Sequence, residues 1–260
     1  MSATGLSLFS LLKVTKPLCF PVLAACLLVS PVSAATVVFS TDFNSSTPAE
    51  FSDGASRESV QGYEGLGHAG NQFSGSFLRN AGGFPDLTVT LTLTCLPDHN
   101  VLSLGFLLAI IDTWDGSGGS GPDLLDVILD GTSIFSETFD TQDFGADQSY
   151  SPAPNVLLSP KSDRGFGFVN NTDDGYDMSL EPRFQNIPHT GRTAVIQWKA
   201  GGAGLEPTGN ESWAIDNVTV TLGTIPEPGT LTLLTVAFPL MTFLGCATLR
   251  RRDRGRGRPF

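Results

Sequence analysis

Leu87-Thr88-Val89-Thr90-Leu91-Thr92-Leu93-Thr94 alternates apolar residues with threonine along its whole length. Side chains on a strand point to opposite faces in turn, so this pattern predicts a half-buried antiparallel strand with a threonine ladder on its other face. Downstream, Val101 to Ile111 reads as a nearly unbroken apolar run. It is too short to cross a membrane, and it predicts a central strand buried on both sides. Leu124 to Leu129 and Thr132 to Phe139 flank Asp130-Gly131, a dipeptide that favours a tight hairpin turn. Ala194 to Trp198 and Trp213 to Leu222 complete the strand set. Clusters of glycine, proline and aspartate separate these runs, and none has a helical period. The expected class is all-β, a two-sheet jelly-roll β-sandwich.

Both ends of the 260-residue chain have a different character. Lys13 and Lys16 precede an apolar core from Leu18 to Val29, and Val32-Ser33-Ala34 supplies the small residues that signal peptidase needs. Residues 1–34 therefore read as a signal peptide. Leu23-Ala24-Ala25-Cys26 also resembles a lipobox, which would make Cys26 a lipid-modified N-terminus. Residues 35–223 form the exported domain. After it come Pro226-Glu227-Pro228, an uncharged apolar run at 230–249, and Arg250-Arg251-Arg252 with three further arginines. About 20 apolar residues suffice for one transmembrane helix. The arginines predict that the segment beyond this span stays in the cytoplasm.

Together these three parts, over residues 224–260, resemble the PEP-CTERM tail of bacterial exported proteins. The resemblance implies cleavage near Pro226 to Pro228 by exosortase, a transpeptidase-like membrane protease. It further implies transient anchoring in the inner membrane, then transfer to the cell surface or to an exopolysaccharide-rich biofilm matrix. The same tail is also catalogued as an ice-binding protein C-terminal domain. An ice-binding face would need a flat, regular threonine array, of which Thr88, Thr90, Thr92 and Thr94 supply one row.

Charge narrows the partners. Between Thr36 and Gly223 stand 24 Asp and Glu against 7 Lys and Arg, a balance of −17. Such a surface disfavours nucleic acid and suits cations, hydrated matrix or neutral sugars. Cys95 is the one cysteine between the two ends, so the domain has no internal disulfide, and a buried thiol is expected there.

Thr41-Asp42-Phe43 near the start and Glu211-Ser212-Trp213-Ala214-Ile215-Asp216-Asn217-Val218 near the end resemble the bookends of MAM-type and carbohydrate-binding-module-like jelly rolls. That resemblance implies neighbouring first and last strands and a shared structural Ca2+. Its ligands would be Asp42 and Asp216, with Asn217 or Glu211 beside them.

Two acidic loops are candidates for calcium, which takes several carboxylate and carbonyl oxygens from a flexible loop, and for sugar. Asp112-Thr113-Trp114-Asp115-Gly116 opens a glycine-rich stretch ending at Pro122-Asp123, and Asn170 to Asp177 forms the second. Trp114 with Asp112 and Asp115 fits a sugar site, the indole stacking on a pyranose while the carboxylates bind its hydroxyls. Tyr176 with Asp174 and Asp177 is the weaker counterpart. Asn170, Asp174, Gly175 and Glu181 fall at EF-hand positions, but Thr172 breaks the pattern. The alternative to a non-catalytic binding module is a polysaccharide-acting hydrolase. That requires two carboxylates on one face, and no local motif pairs Glu137, Glu181 or Glu211. His68, His99 and His189 stand singly, so neither a nucleophilic triad nor a zinc motif is expected.

Overall fold

The threonine-alternating stretch is a strand in the computed structural model. Val89, Leu91 and Leu93 are buried, Thr92 and Thr94 are exposed, and Thr88 and Thr90 are half-exposed. The structure describes residues 35–52, 54–80, 87–118, 122–142, 148–167, 170–206 and 211–225. The signal peptide, Cys26, Pro226, Glu227, Pro228, the span at 230–249 and Arg250, Arg251 and Arg252 lie outside them. Among the described residues no helix is long and apolar enough to cross a membrane.

The strands are β1 (Thr36–Thr41), β2 (Phe51–Ser52), β3 (Ser56–Ser59), β4 (Gly67–His68), β5 (Asn71–Gln72), β6 (Ser76–Asn80) and β7 (Leu87–Thr94). They continue with β8 (Val101–Asp112), β9 (Leu124–Leu129), β10 (Thr132–Thr138), β11 (Leu157–Ser162), β12 (Asp173–Asp177), β13 (Ile187–Pro188), β14 (Thr193–Gly201) and β15 (Glu211–Gly223). All pairings are antiparallel. One sheet runs β10-β9-β14-β7-β2. The larger runs β11-β12-β8-β15-β6-β3, with β1 also on β15 and β13 also on β8. Its spine is the long pair β8 and β15, whose outer edges are each shared by two shorter strands. The first strand thus lies against the last, Thr41 opposite Val218.

The two sheets face each other across one apolar core. Leu104, Phe106, Leu108 and Ile110 of β8 meet Leu91 of β7, Val127 of β9, and Ile196 and Trp198 of β14. On β15 the inward residues change parity, from Trp213 and Ile215 to Val218, Val220 and Leu222. A β-bulge causes the change: Asp216 pairs with Leu107 but Thr219 with Gly105, so β15 carries one extra residue. Asn217 absorbs it at φ +49°, a left-handed conformation that asparagine tolerates.

The outward side of β8 is covered over half its length. Leu107, Ala109 and Ile111 pack with Ala214 under Val60, Tyr63, Phe73, Phe77 and Phe166. The Tyr63 hydroxyl fastens this cover by donating toward the carbonyls of Ile110 and Asp174, at 3.3 and 3.1 Å. Double-sided burial of β8 was the expectation, and it holds from Leu107 onward. Before that point Ser103 and Gly105 face outward and are only partly buried.

The Asp130-Gly131 turn forms as expected, with φ of +48° and +78°, the hand that matches strand twist. Two expectations fail. Cys95 is exposed: β7 ends at Thr94, Cys95 turns the chain at φ +57°, and Leu96 takes the buried place. The second acidic stretch is not all loop, because Asp173–Asp177 is strand β12, buried throughout. Its carboxylates are tolerated there because they accept backbone N–H groups. Asp173 takes those of Asp112 (2.9 Å) and Arg164 (2.7 Å), Asp174 that of Lys161 (2.6 Å), and Asp177 that of Ser179 (3.1 Å).

Candidate functional site

Where the apolar cover of the larger sheet stops, an open groove of about 670 Å³ begins. Its floor is the outward row of three adjacent strands, Ser40 of β1, Thr219 and Thr221 of β15, and Ser103 and Gly105 of β8, with Thr41 lining one end. The bulge at Asn217 turns Thr219 and Thr221 to this face. One wall is the short turn Met178–Leu180, which comes close because Gly105 has no side chain. A Cβ there would sit 3.1 Å from that of Ser179. Asn71 holds that wall, its amide donating to Asp177 (3.0 Å) and Ser179 (3.3 Å), and Asn217 in turn donates to Asn71 (3.1 Å). The lining is hydroxyl, amide and backbone, and Asp42 is its one carboxylate.

Asp42 lies near enough to Asp216 for its charge to act there, and each carboxylate oxygen of the pair accepts one hydrogen bond. Asp42 is exposed and accepts from the Asn44 backbone and side-chain amides, both at 3.0 Å. Asp216 is buried and accepts the backbone N–H of Asn217 (2.7 Å) and Ser74 (3.3 Å). Burial pushes the Asp216 carboxyl up to about 7, against the pull of those two amides, with the charges of Asp42 and Glu64 adding to it. Asn217 spends its side-chain nitrogen on Asn71 and on the Gln72 carbonyl. Among the described residues, the group with metal-ligand spacing lies elsewhere.

The sugar platform expected at Trp114 is not formed. Trp114 has 0 % exposure, its indole N–H donates to the Ser212 carbonyl at 3.0 Å, and its ring meets Phe139 edge-on. The physical reason is a turn. Asp112 adopts φ +66° and its carbonyl accepts the Trp114 N–H at 3.0 Å, which turns the indole back into the core. Asp112 is buried with it. Tyr176 is likewise interior, its hydroxyl donating to Asp174 at 2.7 Å.

The loop that Trp114 closes instead brings three carboxylates together. Asp115, Asp123 and Glu211 each offer an oxygen within 4.8 Å of the other two. Asp115 follows β8, Asp123 precedes β9, and Glu211 begins β15, where it pairs with Asp112. The loop is cross-braced: Asp123 accepts the Asp115 N–H at 2.5 Å and donates its own to the Gly116 carbonyl at 3.0 Å. Two unit charges 4.8 Å apart repel by about 3 kcal/mol at an effective dielectric near 20. Burial comes first among the causes that push Asp123 up to about 6 and Glu211 up to about 8, and the neighbouring carboxylates add to it. Asp115 is raised for the same reasons, with Glu206 and Asp140 as its charged neighbours.

No protein-family model matches the chain, and no curated protein matches it. Several solved structures are distantly similar to it. The Agl-KA catalytic domain is 11 % identical, with 75 % of this chain and 28 % of that one covered, at a TM-score of 0.34. Latent PorU from Porphyromonas gingivalis is 10 % identical over 74 % of this chain and 13 % of its own, at 0.33. A family 35 carbohydrate binding module from an environmental isolate is 12 % identical over 72 % and 99 %, at 0.29. The chain thus spans under a third of the first two. At such scores none of them assigns a ligand or a family to it. Its own strands define an antiparallel all-β protein of two facing sheets.

Proposed function

We propose that this chain is an exported surface or matrix protein whose sandwich, read as a jelly roll, binds a neutral glycan without transforming it. The observation that carries this reading is the groove over β1, β15 and β8. Its hydroxyls and amides offer both donors and acceptors, which is what a polyol needs, and it carries little charge that a neutral ligand would have to desolvate. Glycoside hydrolysis would call for a carboxylate pair across the bound sugar, whereas Asp42 stands alone in this lining. An ice-binding face gains little support from the threonine ladder. The row beside it reads Thr193, Val195, Gln197 and Lys199, not a repeat of threonine.

Binding of the full-length chain, held in mild detergent, to a glycan array tests the groove. Thr221→Phe fills the groove from the sheet's outer face and should weaken binding at least tenfold while leaving the melting temperature unchanged. Equal binding by the variant, or no glycan bound by either protein, would reject the reading.

The sorting half of the proposal rests on the sequence of residues 1–34 and 224–260 alone. Signal peptidase would remove the leader, the inner membrane would hold the tail, and exosortase would cut near Pro226. Replacing Pro226, Glu227 and Pro228 with alanine in the producing cell should accumulate an uncut, membrane-bound form. Normal release would remove exosortase from the account.

A further inference from the structure

We propose that Asp115, Asp123 and Glu211 form a Ca2+ site, separate from the groove, that staples the two sheets together. The three carboxylates come from distant stretches of sequence yet converge within 4.8 Å. Two oxygens bound to one Ca2+ at 2.3–2.6 Å lie at most about 4.6–5.2 Å apart, the separation across the ion, so carboxylates within 4.8 Å of one another are near enough to share a cation. Oxygen donors without histidine or cysteine select a hard cation. Convergence alone would leave an acidic cluster. The second observation is Asp123, which is 0 % exposed: its Oδ2 is held by the Asp115 amide, while its Oδ1 receives no N–H or hydroxyl and has only the neighbouring Glu211 carboxyl beside it. A buried carboxylate oxygen without a partner is costly, and a cation coordinated there would satisfy it. Glu211 is 2 % exposed, with the Glu206 N–H on Oε2. Among the described residues, no lysine or arginine pairs with any of the three.

The ligands sit on both layers. Glu211 opens β15 and Asp115 follows β8 in the larger sheet, whereas Asp123 leads into β9 of the smaller one. A cation here would tie the entry of one sheet to the exit of the other. Backbone carbonyls and water would complete its shell. Thr219 lies eight residues beyond Glu211, roughly 25 Å along the strand. Losing this site therefore need not touch the groove, and the two proposals fail independently.

The test is calorimetric titration of the full-length chain, stripped with EDTA, using CaCl2 and separately MgCl2, with thermal scans alongside. One Ca2+ per chain is expected, raising the melting temperature by about 5–10 °C when calcium stands at 100 times its Kd. Asp123→Asn should weaken Ca2+ at least tenfold while leaving the metal-free protein as stable as the parent or more so, because it removes repulsion. Glu211→Gln provides the same readout if Asp123→Asn does not fold. No heat and no thermal shift with millimolar Ca2+ would overturn the proposal. So would a response to Mg2+ alone, or full Ca2+ binding by the folded variants.

Discussion

Trp114→Ala should cost the protein about 3–5 kcal/mol, a large share of its stability. The indole is wholly interior, and truncating a buried tryptophan opens a cavity of that energetic size. Removing its N–H also leaves the Ser212 carbonyl without the 3.0 Å donor it has at the start of β15, adding about 1 kcal/mol. Typical domains have only 5–15 kcal/mol in hand. Trp114→Phe separates the two contributions, since it keeps much of the edge-on contact with Phe139 and deletes the donor. It should lose about 1–2 kcal/mol. Urea unfolding followed by circular dichroism measures both. If Trp114→Ala were as stable as the parent and lost only glycan binding, the indole would be a surface platform after all.

In the metal-free protein, stability should fall by an amount of the order of a few kcal/mol between pH 4.5 and pH 8. Burial raises Asp123 and Asp173 to about 6, Asp216 to about 7 and Glu211 to about 8. In the unfolded chain these groups lose their protons near pH 4, so across this window the folded state binds more protons. Their stabilising contribution is complete below the unfolded values and disappears as pH climbs through the folded ones. Urea midpoints at pH 5 and pH 8 in EDTA measure it. Glu211→Gln, which cannot ionise, should remove the part of the slope nearest pH 8. In the parent, saturating Ca2+ should remove the share due to Asp123 and Glu211 and leave that of Asp173 and Asp216, because a bound cation favours the ionised form only of the carboxylates that hold it. A midpoint that rises with pH would mean that these carboxyls ionise freely in the folded protein.

Local pattern carried the framework of this fold. The period-two stretch at 87–94 and the Asp130-Gly131 turn announce themselves because their causes, side-chain alternation and left-handed backbone, act within a few residues. β12 was hidden because Asp173, Asp174 and Asp177 look like turn formers. Their burial is permitted by amides outside the strand, those of Asp112, Arg164 and Lys161, which the stretch 173–177 does not reveal. Trp114 misled for the opposite reason. An aromatic among aspartates reads as exposed, and only the backbone turn at Asp112 sends it inward. The three carboxylates of the proposed cation site were each visible, yet nothing in their spacing pairs Asp115 and Asp123 with Glu211; the β8–β15 register does. The groove did leave a signal. Ser103 and Gly105 interrupt the outward row of β8 before Leu107, Ala109 and Ile111, and that interruption marks where the apolar cover ends.

The extra residue at Asn217 divides β15 into two sections answerable to different demands. Upstream, Ala214 must stay small and apolar under its hydrophobic roof. Downstream, Thr219 and Thr221 look onto solvent while Val220 and Leu222 keep the interior filled. Substitutions on the open section can therefore accumulate without disturbing the roof, so the lining of the groove can change while the scaffold holds. Deleting Asn217 would undo that separation in one step, forcing valine and leucine outward and threonine inward over the second half of the strand.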